Sequence, residues 1–260
     1  MIQSLLRQRL PASAIRIVDP ARETRLALGF SLAYVLAAAL TACVVRSWPL
    51  PLWGATYLTS DATYALGFKV GLLFILPAVL IHRAGYRLED LTLGWRATPR
   101  TLLSLAVALA LASVLNASHL GPIRAAFATM PLAEAIARVS LGAVLALVAA
   151  AIPEELVYRW GVQTRFERSW GRLAAIVLTA VFFVAWHLPT RLLLASGAEG
   201  TAFDPISVLL GTGVPVFVVG LLFGIAWDRW RNLPVLIAVH WGIDLLPSIA
   251  SFLMIPPTVR

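Results

Sequence analysis

The chain has 260 residues, 60% of them apolar and 13% charged, with a mean hydropathy of +0.84 and a formal charge of +8. It is far more hydrophobic than the globular average, which argues against a water-soluble fold. The 20 Arg and one Lys are scattered between apolar stretches without a basic face, so the charge fits loops against an anionic leaflet and predicts no nucleic-acid partner. Residues 1–25 carry five Arg and no long apolar core, which predicts a cytosolic N-terminal arm and not a cleavable signal peptide. Stretches of roughly 20 mostly apolar residues are long enough to span a bilayer. Seven follow: Leu26–Val45, Ala62–Ile81, Leu102–Ser118, Val139–Val162, Leu173–Ala195, Ile206–Trp227 and Leu233–Ile255. The connections on one side hold 14 Arg and those on the other hold five, which places the N terminus in the cytosol. Trp48, Trp53, Trp95, Trp170, Trp227 and Trp230 fall near water boundaries, whereas Trp160, Trp186 and Trp241 fall inside spans and are expected to pack the interior. In "MPLAEAIARVS", Pro131 and Glu134 form a helix-start pattern, so the fourth span is expected to begin outside the bilayer. Cys43 is the only cysteine, which excludes an internal disulfide. With no internal repeat or linker, the predicted fold is all-α: a polytopic membrane helix bundle forming one domain over residues 26–260, its core at 139–255.

Seven ionisable groups lie at membrane depth, where charge is costly and faces the bundle interior, a cavity or a partner: Lys69, Glu154, Glu155, Arg159, His187, His240 and Asp244. Lys69 is expected to snorkel to the interface. Glu155 and Arg159, four apart on one helix face, are expected to pair. Glu154 is about 100° away on the helical wheel; lacking an obvious counter-ion in its own helix, it suits a general base. A purely structural ion-pair network is the alternative. Phe183 with His187, and His240 with Asp244, are also four apart, so each helix presents one organised face. Pro153, Pro189 and Pro247 accompany these groups and are expected to release the carbonyls of Ala149, Ala185 and Ile243 to new partners.

In order, "EELVYR", "FVAWH" and "HWGID" resemble the three motifs of the CPBP family, the CAAX proteases and bacteriocin-processing proteins also called the Abi family: EExxxR, FxxxH and HxxxN or HxxxD. "LEDLTLGWR" at residues 88–96 and "GLLFGIAWDRWRNLPVLIAVH" are similar to segments that precede those motifs, so the likeness runs from Leu88 to Leu245. The resemblance implies an intramembrane endopeptidase in which Glu154 and His187 activate water, Glu155 and Arg159 organise the site, and His240 with Asp244 stabilises the tetrahedral intermediate. Three residues depart from the family pattern. Asp244 stands where Asn is common and must be protonated, orient His240 or bind a metal. Tyr158 and Trp160 replace Phe and Gly and are candidates to narrow the pocket.

The cofactor expectation is either none or a divalent metal such as zinc. The metal would be held by His187, His240 and Asp244, although no HExxH or HxxEH is present. The expected partners are membrane lipids and a protein or peptide substrate, and the oligomeric state is left open. Arg-rich, Lys-poor usage and compact length point to the plasma (inner) membrane of a prokaryote, where a prenylated substrate is not assured. Two other classes compete: a non-catalytic adaptor or immunity protein of the same fold, and an ion-coupled transporter. The transporter is disfavoured by the lack of paired half-repeats.

Overall fold

The computed structural model describes residues 17–47, 71–86, 90, 99–194 and 199–254, and every regular element among them is a helix. Helix α1 spans Pro20–Ser47. It begins before the predicted span because Asp19 caps it, accepting the Arg22 N–H at 3.0 Å, and the last residues of the predicted arm are therefore helical. The rest of α1 separates two faces. Ala27, Ser31, Ala38 and Ala42 are buried, whereas Leu36 and Leu40 are 67% and 68% exposed, as expected of a span with one side toward lipid.

Helix α2 covers Ile75–Ala84. It belongs to the short apolar stretch Gly71–Arg83, the described part of the predicted second span. Lys69, residues 1–16, Trp48, Trp53, Trp95 and all of "LEDLTLGWR" but Asp90 lie outside the described residues. Helix α3, Pro99–Leu115, leads through a 3-10 turn into α4, Leu120–Thr129, with a bend of 54°; α4 lies beyond the span predicted at Leu102–Ser118, in the connection that follows it. Asn116 at the bend donates from Nδ2 to Ala112 O at 2.9 Å and to Ile243 O at 3.0 Å. Ile243 is the carbonyl that Pro247 was expected to release.

Helix α5 runs unbroken from Leu132 to Trp170, 39 residues against the ~20 a bilayer needs. Its start after Pro131 agrees with the sequence. Helices α6 (Arg172–Leu194), α7 (Pro205–Trp230) and α8 (Leu233–Leu253) complete the bundle. Among the described residues, five helices are long and apolar enough to cross a membrane, or six if α3 and α4 count as one span; part of the second of the seven predicted spans lies outside those residues.

One end of the bundle is fastened by buried polar groups. Arg165 of α5 pairs with Glu23 of α1 at 3.1 Å. Tyr86 O–H donates to the same carboxylate at 2.8 Å, and the Arg165 guanidinium lies 4.3 Å from the Trp160 ring centroid. Burial pushes the Tyr86 phenol up to about 12 despite the neighbouring Arg165 cation, so it remains a donor at neutral pH. Hydrogen bonds to charged groups contribute about 1.5–3 kcal/mol; Tyr86→Phe is therefore expected to lower the thermal midpoint of the detergent-purified protein. Trp160, proposed above as a pocket residue, is fully buried in this network and donates to Asp90 O at 3.2 Å. Trp227 is also buried, its indole N–H donating to Thr164 Oγ1 at 3.1 Å.

Candidate functional site

The charged residues of α5 stand where its winding changes. Ala146–Ala151 is π-helical, Ile152–Glu155 is α-helical, and Leu156–Gln163 is π-helical again. Pro153 has no N–H to give and its ring crowds the Ala149 carbonyl, so a wider turn before it relieves the mismatch. Wider turns of this kind recur at functional sites. The spacing in "EELVYR" predicts a pair and a solitary carboxylate, but sequence does not reveal the altered winding around them.

Glu154 and Glu155 are 2% and 0% exposed, and Arg159 is fully buried. The expected Glu155–Arg159 pair forms, with Nε to Oε2 at 2.9 Å. The remaining oxygen of Glu155 takes a second partner from α8, because His240 Nδ1 lies 2.8 Å from Oε1. A carboxylate only accepts, so that imidazole nitrogen carries the proton. His240 Nε2 then faces two other carboxylates, Asp244 Oδ2 at 3.4 Å and Glu154 Oε2 at 3.8 Å. One imidazole thus gathers all three acidic side chains predicted for the site. Asp244 is the most open of them, 35% exposed.

His187 on α6 is brought to the same region through aromatic contacts. Its ring is 5.0 Å from Phe183 by centroid, and Phe183 is 6.4 Å from His240. His187 Nδ1 lies 2.6 Å from Phe183 O. A carbonyl only accepts, so Nδ1 is protonated and Nε2 is the basic nitrogen of the neutral ring.

Arg159 is held between aromatic faces, its guanidinium carbon 5.4 Å from Phe183 and 5.6 Å from Phe223, and Nη1 donates to Gly220 O at 3.4 Å. These α7 contributions were not singled out from sequence. A signal for them exists in "GLLFG": a Cβ on Gly220 would stand 3.2 Å from Ala180 Cβ, and one on Gly224 would stand 3.1 Å from Ile176 Cγ2. Small residues four apart let α6 and α7 approach closely. Tyr158 lies 5.2 Å from Phe183 by ring centroid, while Trp160, two positions on, packs against Arg165 on another side of α5.

The metal expectation does not fit this arrangement. Among the described residues no group of three or more His, Cys, Asp or Glu side chains is placed to hold a metal ion. What the arrangement offers is a carboxylate beside an oriented imidazole, an ion pair fixing the second carboxylate, and N–H donors beside an accessible edge at Asp244.

Residues 136–246, which include all six of these charged side chains, match the family model described as Type II CAAX prenyl endopeptidase Rce1-like. No curated protein and no solved structure matches the chain.

Proposed function

We propose that this chain, whose residues 136–246 match the CAAX protease family model, is an intramembrane endopeptidase in which Glu154 and His187 activate the attacking water. The observation that carries this reading is the convergence of three carboxylates from α5 and α8 on His240. In the proposed reaction, Glu154 takes a proton from water as its oxygen attacks the scissile carbonyl carbon. His187 Nε2 orients that water. A protonated His240 presents N–H to the developing oxyanion, while Glu155 and Arg159 hold the imidazole in place. Glu154 then delivers its proton to the departing amine as the C–N bond breaks, which restores the carboxylate. The substrate is a protein or peptide segment at the membrane of a prokaryotic host, and no step requires a metal. Activity of the detergent-purified protein is expected to survive exhaustive chelation unchanged; loss on chelation and recovery with zinc would refute metal-free water activation.

Asp244 has the role of orienting His240, since its carboxylate lies beside Nε2. Asn keeps an acceptor oxygen at that position, so Asp244→Asn is expected to remain within about tenfold of wild type. Asp244→Leu is expected to fall by about 10²–10³, the loss typical of one oxyanion donor. Equal rates for Asn and Leu would remove Asp244 from the mechanism.

The test of the function compares membrane-protein termini by mass spectrometry in native host cells carrying the wild-type chain or Glu154→Gln at matched abundance. New termini confined to the wild type support the peptidase and identify its substrates. Their absence moves the assignment to a non-catalytic adaptor of the same fold.

A further inference from the structure

Every residue of "HWGID", positions 240–244, is engaged by the bundle. His240 and Asp244 face the site, with Nε2 and Oδ2 3.4 Å apart. Trp241 ties the same turn of α8 to α5, its indole N–H donating to Ala143 O at 2.8 Å. Gly242 lets α3 lie flush on α8, since a Cβ there would overlap Leu109 Cδ2. Ile243 contributes its carbonyl, which Pro247 cannot bind because it has no N–H. Asn116, at the bend between α3 and α4, donates to that oxygen at 3.0 Å. Leu109 and Asn116 both precede the matched segment 136–246.

An Asn at a helix end often serves the backbone, by tolerating the left-handed conformation that closes the helix. Asn116 has φ −99° and ψ 10°, which needs no such tolerance, so it is the side chain that the position uses. The amide nitrogen has two N–H groups and two acceptors, Ala112 O of α3 at 2.9 Å and Ile243 O of α8 at 3.0 Å. A carbonyl released at membrane depth has to find a donor from protein or water. This one belongs to the peptide whose nitrogen is that of Asp244. Fixing the plane of that peptide fixes where the Asp244 carboxylate leaves the helix, and hence its place beside His240.

We propose that Asn116 is a positioning residue of the active site: through the Ile243 carbonyl it holds the turn of α8 that carries His240 and Asp244. The bent pair α3–α4 is thereby a clamp on the site as well as a wall of the bundle. The proposal rests on the peptidase reading for its kinetic consequence alone, and the clamp itself is read without turnover.

The experiment uses the full chain in lipid nanodiscs, with ¹³C at isoleucine carbonyls and ¹⁵N in aspartate and in the histidine rings. Ile–Asp occurs once in the sequence, so the bonded ¹³C–¹⁵N pair reports the Ile243–Asp244 peptide alone. The sequence has four His, and the His240 signals are those missing from His240→Gln. Asn116→Leu is expected to move the Ile243 carbonyl upfield and to shift the His240 ring signals, leaving those of His82 in place. An unmoved carbonyl overturns the contact. A moved carbonyl with an unchanged His240 ring overturns the positioning, because the role is then structural only. Pro247→Ala gives Ile243 O an intrahelical N–H and makes the Asn116 donor dispensable. On a substrate from the terminus comparison, Asn116→Leu is expected to lower kcat about tenfold at unchanged KM beside Pro247, but by less than about twofold in the Pro247→Ala background. Equal losses in the two backgrounds overturn the proposal. If Asn116→Leu alone does not fold, the combination with Pro247→Ala decides: a rate near that of Pro247→Ala supports action through the carbonyl, and an inactive folded protein overturns it. If the wild type cleaves nothing, the peptidase reading fails while the carbonyl and imidazole resonances still decide the clamp.

Discussion

Replacing Glu154 by Gln is expected to reduce peptide hydrolysis by about 10²–10⁴-fold, the usual contribution of a positioned general base. The two side chains have nearly the same shape, so Gln preserves packing at a position 2% exposed, yet its amide cannot accept the proton of water. The loss should appear equally in kcat and kcat/KM, because the proton transfer belongs to the transition state and not to substrate binding. Stability should change little. Glu154 stands 3.8 Å from His240 Nε2, whereas Glu155 and Asp244 are closer to that ring and remain in place. Kinetics on a substrate from the terminus comparison, with a thermal midpoint taken alongside, check both parts. A Glu154→Gln protein that turns over at the wild-type rate would exclude Glu154 as the base.

Arg159→Met is expected to have the largest effect on stability. Both members of the Glu155–Arg159 pair are fully buried, and removing one partner of a buried ion pair typically costs about 3–5 kcal/mol because the other charge is left uncompensated. His240 alone would then face Glu155, Glu154 and Asp244. Arg159 also fills the space between Phe183 and Phe223, so its loss removes cation–π contact as well as charge. Lys is not an adequate replacement, since it lacks the planar fork that reaches Glu155 and Gly220 O together. Removing both charges, Arg159→Met with Glu155→Leu, should recover much of the stability, as buried pairs often exchange for apolar residues at little cost. The double variant should stay inactive, having lost the carboxylate that fixes His240. Unfolding midpoints in detergent for the single and double variants provide the check; a stable single variant would show that the pair is not a structural element.

The same contacts divide what the sequence settled from what only the folded bundle could. Hydropathy alone identified a helical membrane protein, because apolar runs of spanning length have no other way to satisfy their backbone. Spacing alone paired Glu155 with Arg159 and placed Phe183 beside His187, since both are i,i+4 relations within one helix. The carbonyl released by Pro247 was legible for the same local reason, though its partner Asn116 was not. Arg138, counted as a loop charge, is 1% exposed in the bundle and bound to Glu134. Trp160 and Tyr158 sit two apart in one motif and serve different ends of the bundle, a difference fixed by which helices flank α5 and not by their own chemistry. The winding of α5 around Glu154 was hidden because it answers to Pro153 and to packing together. The meeting of Glu154, Glu155 and Asp244 on His240, and the arrival of Phe223 beside that imidazole, belong to tertiary structure alone. Local periodicity determines which residues share a helix face, but only the packing of one helix on another brings together side chains far apart in sequence.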